Sequence, residues 1–339
     1  MSTFRVDVVR IGALDKHPNA DTLSITKVWN YTCVIRTSDW AEGDLAAYIE
    51  PDNMVPTERD TFKFLHKEGR TEHRVKTQKF RGVMSQGLLV RAPEGSKEGD
   101  DVSTELGVTH YEPPEPANRG SANRCRLVGG EVGLSPSATS YKYDLESWFK
   151  YGRQLVDGEH IIITEKLHGC NARFVFDTPK HPKMDQDNGP QMFCGSRTEW
   201  KRQDEGNLWW RALAQNPWIE NLCRTFPGYV FYGECFGQVQ DLKYDTGPGQ
   251  YRVRLFDMLK PDGMYANWED VGPLQDVWVP VLYDGPYSEA KVRELMDGKS
   301  TLASHIREGI VIGTAEERYT HAGRMKLKAV SPDYLSRNK

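Results

Sequence analysis

The chain lacks the features that tie a protein to a special environment. Six cysteines, Cys33, Cys125, Cys170, Cys194, Cys223 and Cys235, are spread over 339 residues with no C-x-x-C pair and no close spacings. A disulfide scaffold and a structural zinc motif are thereby excluded, and a reducing compartment is expected. Charge of one sign is also missing. With 44 Lys and Arg against 48 Asp and Glu, the net charge is -4. Nucleic-acid binding through overall charge is excluded, and any such contact must come from local basic patches. No apolar run approaches the roughly 18 residues of a membrane span, and the amino terminus MSTFRVDVVR has no apolar signal core. No membrane partner is expected, and the location should be cytoplasmic, or nuclear where the source has a nucleus. Internal repeats at solenoid periods are absent.

Short alternating segments fill the first ninety residues. Arg5 to Val9, Leu23 to Val28, Tyr31 to Ile35 and Gln86 to Val90 are broken by turns, which predicts an all-β barrel or sandwich. Two phrases stand out there: His17-Pro18-Asn19-Ala20-Asp21-Thr22-Leu23, a turn with its own Asx chemistry, and Phe80-Arg81-Gly82-Val83-Met84-Ser85-Gln86-Gly87-Leu88-Leu89. Between them runs a basic stretch, Lys63, Lys67, Arg70, Arg74, Lys76, Lys79 and Arg81, interleaved with Phe62, Phe64, His66, His73 and Phe80. Cations among aromatics suit a single-stranded nucleic acid, and they equally suit a solvated face. Residues 112–140 are rich in Pro, Gly, Ser, Asn and Ala. The expected organisation is a barrel over 1–125, a linker over 126–140 and a second domain over 141–339, an α+β chain overall.

In the second half, the stretch His160 to Asn171 reads HIIITEKLHGCN. The β-branched run Ile161 to Thr164 predicts a buried strand that delivers Glu165 and Lys166 to its end, just before a turn at Gly169. A second strand follows, with Ala172, Phe174 and Phe176 on one face. A lysine at a turn is ordinarily only solvated. As a nucleophile it must be unprotonated, and its free pKa near 10.4 has to be pushed down by burial or neighbouring cations. The region 141–149 suggests a short helix, 205–226 a helix interrupted at Pro217, and 288–296 a helix capped by Ser288.

Five further phrases follow in order: Gly195-Ser196-Arg197-Thr198; Val230 to Gly237, with Glu234 after a glycine; Arg252 to Asp257, with Phe256; Arg307-Glu308-Gly309-Ile310-Val311-Ile312; and Met325-Lys326-Leu327-Lys328-Ala329. Strand alternation puts Lys326 and Lys328 on one face, about 7 Å apart. Singly each phrase is unremarkable. Their order resembles that of the covalent nucleotidyltransferases, the polynucleotide ligases and mRNA capping enzymes. Where that superfamily usually reads K-x-D-G, this chain has Lys166-Leu167-His168-Gly169-Cys170-Asn171, which resembles the RNA ligase branch. The two amino-terminal phrases resemble the OB module of tRNA-binding proteins. A barrel ahead of the transferase domain, with only Ala329 to Lys339 after the last phrase, is similar to the RNA ligases of the Deinococcus and Naegleria type.

The resemblance implies an amino-terminal OB-type barrel and an adenylyltransferase domain of antiparallel sheets with flanking helices. It implies an ATP-dependent RNA ligase, a monomer that joins 3′-hydroxyl and 5′-phosphate RNA ends, with nicked duplexes as the expected substrate, through a lysyl-AMP and an RNA-adenylate. Lys166 would be the nucleophile. Lys326 and Lys328 would bind phosphate and keep Lys166 unprotonated, Glu234 would hold the ribose and Phe256 would stack on adenine. Glu308 would engage Mg2+ or Mn2+ directly or through water. Arg197 would contact a phosphate, His168 and Asn171 would serve the strand-joining steps, and Glu165 and Asn171 would lie at the nucleotide. Lys76, Lys79 and Arg81 would touch RNA. The competing readings are a non-catalytic RNA-binding protein and a capping-type guanylyltransferase.

Overall fold

Extended, β-branched segments dominate the chain, and the computed structural model accordingly shows many strands and few helices. It describes residues 4–111, 131–181 and 188–337. Cys125 and positions 126–130 of the expected linker lie outside the described residues. The described chain divides into two units, one of residues 4–111, 146–154 and 332–337, the other of 131–145 and 155–331.

The first unit is built from small antiparallel sheets. Strands β1 (Asp7–Arg10), β2 (Leu23–Val28), β3 (Tyr31–Arg36), β4 (Leu45–Ile49) and β5 (Leu88–Arg91) carry it. β4 lies between β1 and β5, and β2 pairs with β3. Inward residues at alternate positions, among them Val6, Val8, Ala47, Ile49, Val55, Phe62 and Val90, make one apolar core. The helix expected over 141–149 is confined to α1 (Trp148–Tyr151). Phe149 stacks on Tyr31 at 5.1 Å, and buried Lys150 is paired with Glu50 at 2.6 Å and Asp7 at 3.0 Å. Residues 141–145 stay out of the helix, and Tyr143 donates its hydroxyl proton to the buried Asp257, which commits that segment to the second unit.

The two phrases singled out in this unit meet each other. Asn19 N–H donates to His17 Nδ1 at 3.0 Å, so His17 carries its proton on Nε2 and donates it to the Phe80 carbonyl at 3.0 Å. Asn19 Nδ2 donates to the Arg81 carbonyl at 2.9 Å. His17 is buried, and both its nitrogens are satisfied by backbone.

The second unit contains a short two-stranded sheet, Tyr319–Thr320 with Gly323–Arg324, and two large antiparallel sheets. One orders β13 (Lys326–Val330), β12 (Gly309–Thr314), β6 (His160–Lys166) and β11 (Val281–Pro286); the other orders Trp200–Lys201, β8 (Gln191–Gly195), β7 (Cys170–Asp177), β9 (Val230–Gly237) and β10 (Tyr251–Leu259). The helical stretch over 205–226 splits at Pro217 into α2 (Leu208–Gln215), capped by the Asn207 side chain, and α3 (Trp218–Thr225). Ser288 caps α4 (Glu289–Met296) by accepting the Lys291 N–H at 3.2 Å. Ala172, Phe174, Phe231, Ala212 and Ile219 join one apolar core, which packs α2 and α3 onto one face of the second sheet.

Candidate active site

β6 ends on Lys166, and the turn after it is forced by the backbone. Any Cβ on Gly169 would lie 2.2 Å from the Cys235 carbonyl, so the turn closes against β9 only with glycine there. Across the first sheet, Lys166 stands opposite Gly309. Glu308, one residue before β12, meets the lysine Nζ with Oε1 at 2.6 Å and His168 Nδ1 with Oε2 at 3.3 Å. His168 Nε2 meets Asp241 Oδ1 at 2.5 Å. Four charged or ionisable side chains thus form a chain from Lys166 through Glu308 and His168 to Asp241.

The second sheet brings Glu234 and Asn171 to the same place, opposite each other on β9 and β7. Burial pushes the Glu234 carboxyl up to about 8, against the pull of Lys166 and with the help of the Glu308 charge. Burial also opposes ionisation of Glu308, but Lys166 and His168 win and hold it down at about 2. Asn171 Oδ1 is buried without a hydrogen-bond partner among the described residues.

The expectation that Lys326 and Lys328 depress the pKa of Lys166 is corrected here. Burial pulls the amine down, but Glu308 and then Glu234 raise it above its ordinary value. Register gives the reason. Lys328 pairs with Val311 and Lys326 with Gly313 on β12, whose other neighbours on β6 are Thr164 and Ile162. The two lysines share the Lys166 face, as alternation predicts, but two strand spacings across and two and four residues along, roughly 12 Å for Lys328 and roughly 16 Å for Lys326 between α-carbons. Lys326 is moreover held by Asp257 at 2.8 Å and the Phe256 carbonyl at 2.9 Å, and Lys328 has Asp144 at 3.9 Å. Carboxylates in contact outweigh cations at that range.

One cleft runs along this face. Thr164, Val311 and Lys326 line it from the first sheet, Phe256 and Asp257 from the second. Consecutive residues of a regular strand point to opposite faces, so both can line one cleft only because the ladder is broken. Tyr232 pairs with Asp257 and Gly233 with Leu255, leaving Phe256 as a β-bulge that re-aims its ring. Asp257 then serves Lys326, Arg324 and Tyr143 together, and the two cations, Arg324 first and then Lys326, hold it well below the ordinary carboxylate range against the cost of burial.

An RNA ligase family model matches residues 159–330, just over half of the chain. The chain belongs to the RNA ligase family. An OB-fold domain model matches residues 5–92. Among solved structures, a lysine-to-alanine variant of the Naegleria gruberi RNA ligase with ATP and Mn is 24% identical, with a TM-score of 0.77 over 98% of each chain. The same enzyme with PPi is 26% identical, at a TM-score of 0.74 over 97% of each chain, and its apo aspartate-to-alanine variant is 26% identical at 0.75 over 97% and 96%. No curated protein matches the sequence.

Other expected residues of this RNA ligase family member are placed differently. Glu165 alternates with Lys166 and is buried, and its Oε2 accepts from the Thr301 N–H and hydroxyl, each at 2.8 Å. Its carboxylate therefore holds the 299–306 segment instead of opening onto the cleft. Arg197 is half-buried in the turn after β8, and no hydrogen bond or ion pair holds its guanidinium among the described residues. That turn is braced from below by Arg173, which sequence reasoning passed over. Buried on β7, it donates to the Ser196 carbonyl at 2.7 Å and lies 4.4 Å from the Trp200 ring. Also missed were Asp241, Gln240 and Tyr244, in a polar loop after β9. Their only signal was position, directly after the strand that carries Glu234.

In the first unit Lys76, Lys79 and Arg81 are exposed, the latter two on the hairpin Gln78–Phe80 and Val83–Ser85. Nearby, burial and then the cations Lys67, Lys76 and Arg70 lower the His73 pKa, which marks a region of positive potential. Phe64 and Phe80 are exposed.

Proposed function

We propose that this chain is an ATP-dependent ligase that joins 3′-hydroxyl and 5′-phosphate RNA ends, with nicks in duplexes as its substrate. The observation that carries the reading is the Lys166 amine at a rigid strand end, in contact with Glu308 and within electrostatic reach of the Glu234 carboxyl, on the sheet face whose cleft is lined by Phe256 and Val311.

The residues present fit a nucleotide. Phe256 and Val311 approach from opposite sheets and offer apolar faces to a purine. Glu234 and the unpartnered Asn171 Oδ1 suit ribose hydroxyls. Lys326 and Lys328 extend along the same face with side chains long enough to converge on phosphate oxygens, and Arg197 supplies a further cation. Lys166 Nζ attacks the α-phosphorus of ATP, forming a P–N bond as the bond to pyrophosphate breaks. The 5′-phosphate of RNA then displaces the lysine, and the 3′-hydroxyl displaces AMP. Placement and charge neutralisation supply most of the rate.

For a divalent ion, no group of three acidic, His or Cys ligands occurs among the described residues. Magnesium or manganese would be held by Glu308, phosphate oxygens and water. Such an ion would supply charge neutralisation at the phosphates, and a Glu308 carboxylate engaged with it would hold the Lys166 amine less tightly in its protonated form. Glu165 supports the site by fixing Thr301. Lys76, Lys79 and Arg81 guide the RNA backbone.

Incubation with α-labelled ATP and Mg2+ or Mn2+ tests the reading. The expected result is a protein-bound label, stable to alkali and released by acid as a P–N bond is, absent in Lys166→Ala. Folded wild-type protein that takes no label under either metal would sink it, and a label from GTP in preference to ATP would transfer the chain to capping chemistry.

A further inference from the structure

We propose that Asp241 is a positioning residue of this ligase: it fixes the His168 imidazole against Glu308 for the strand-joining steps and acts little on the loading of Lys166. The inference rests on the reading above that His168 serves those later steps.

Asp241 meets the machinery at His168. Its Oδ1 is 2.5 Å from Nε2, whereas Lys166 is engaged by Glu308 Oε1 on the far side of the ring. An ionised carboxylate only accepts hydrogen bonds, so Asp241 selects a ring that carries a proton on Nε2 and fixes its rotation. With its side chain 46% exposed, the pair is screened by water and adds little to folding. What it sets is orientation.

The turn itself is held by other residues. Tyr244 accepts the His168 N–H at 2.8 Å, and Gln240 Nε2 donates to the Gly169 carbonyl at 2.9 Å. The Tyr244 ring is buried edge-on to Phe236 and His305, with centroids at 4.9 and 4.7 Å. Three residues within five positions of one loop therefore grip Lys166-Leu167-His168-Gly169 from outside, two of them through backbone. Removing the Asp241 side chain leaves those two in place and releases the ring.

The test uses the full chain and separates loading from joining. Asp241→Ala is expected to lower kcat for sealing a pre-adenylylated RNA nick by about 10- to 100-fold. KM for that RNA, lysyl-AMP formation and the thermal midpoint should stay close to wild type. Asp241→Asn, which retains an oxygen acceptor, is expected to recover most of the sealing, a rescue that a loss of general structure does not give. Sealing by Asp241→Ala at the wild-type rate overturns the proposal, and so does an equal loss of loading and sealing. If wild type fails to seal the pre-adenylylated nick, or His168→Ala seals it normally, the reading of His168 fails first. If His168→Ala is impaired and Asp241→Ala is not, only the Asp241 proposal fails.

Discussion

Two histidines, each inside a phrase that stands out in the sequence, are put to opposite uses. His17 is buried and meets a backbone amide and a backbone carbonyl; His168 meets two carboxylates, one of them bonded to a lysine. The first set of partners is neutral and complete, so it locks two turns of the first unit together. The second set is charged and concentrated, and it includes Glu234 and Glu308, whose pKa values are driven apart to about 8 and about 2. Opposite displacement of neighbouring carboxyls marks a place arranged for chemistry. A histidine is thus read from the charge of its partners.

The strongest way to break this contrast is Glu308→Gln. It removes the charge that holds both Lys166 and His168, and a loss of lysyl-AMP formation of about 1,000-fold is expected in a single-turnover assay. Loading near the wild-type rate would mean that the charged cluster is structural after all. Asp257→Asn comes next: it takes the ion pair from Lys326 while keeping the shape, and loading is expected to fall about 100-fold with a lower thermal midpoint, since Arg324 also loses its counter-charge.

The other half of the contrast is probed by His17→Ala. It leaves the Asn19 N–H and the Phe80 carbonyl without their partner, for a cost of about 1–3 kcal/mol in denaturant unfolding, while loading per folded molecule is unchanged. Lost loading at full stability would reverse the assignment.

A pH series sharpens the comparison within the second unit. Glu234 has a folded pKa above the ordinary 4.5, so its protonated form favours folding, and stability is lost as pH rises from about 4.5 through about 8. Glu308 is displaced the other way, so its contribution is present above about 4.5 and lost as pH falls towards about 2. Glu234→Gln should accordingly raise the thermal midpoint at pH 8.5 and change it little at pH 5. An equal change at both would remove Glu234 from the account. The smallest effect is expected from Lys79→Ala, which should lower RNA affinity slightly and reduce the slope of log affinity against log salt by about 1. An unchanged slope would take that hairpin out of the RNA path.

Much of this was legible locally. The run Ile161 to Thr164 and Gly169 place the lysine at a strand end, Pro217 breaks its helix, and Ser288 caps another, because each of these is decided by a few neighbours in sequence. The order of six phrases pointed to the family. Three features were not legible. The bulge at Phe256 depends on register with β9, so alternation could not show Phe256 and Asp257 lining one cleft. Asp241 lies 73 residues from His168, and nothing in its own loop announces the contact. The protonation of Lys166 turns on which charges come nearest, and the carboxylate of Glu308 arrives closer than either distant lysine.

Gly309 has a φ of 153°, and a Cβ there would fall 2.3 Å from the Ala329 carbonyl. The same residue faces Lys166 on one side and Val330 on the other. One absent methyl therefore sets how closely the strand that faces the nucleophile lies against the strand of the distal lysines, so a bulkier residue at 309 would push those two strands apart without touching a single charged group.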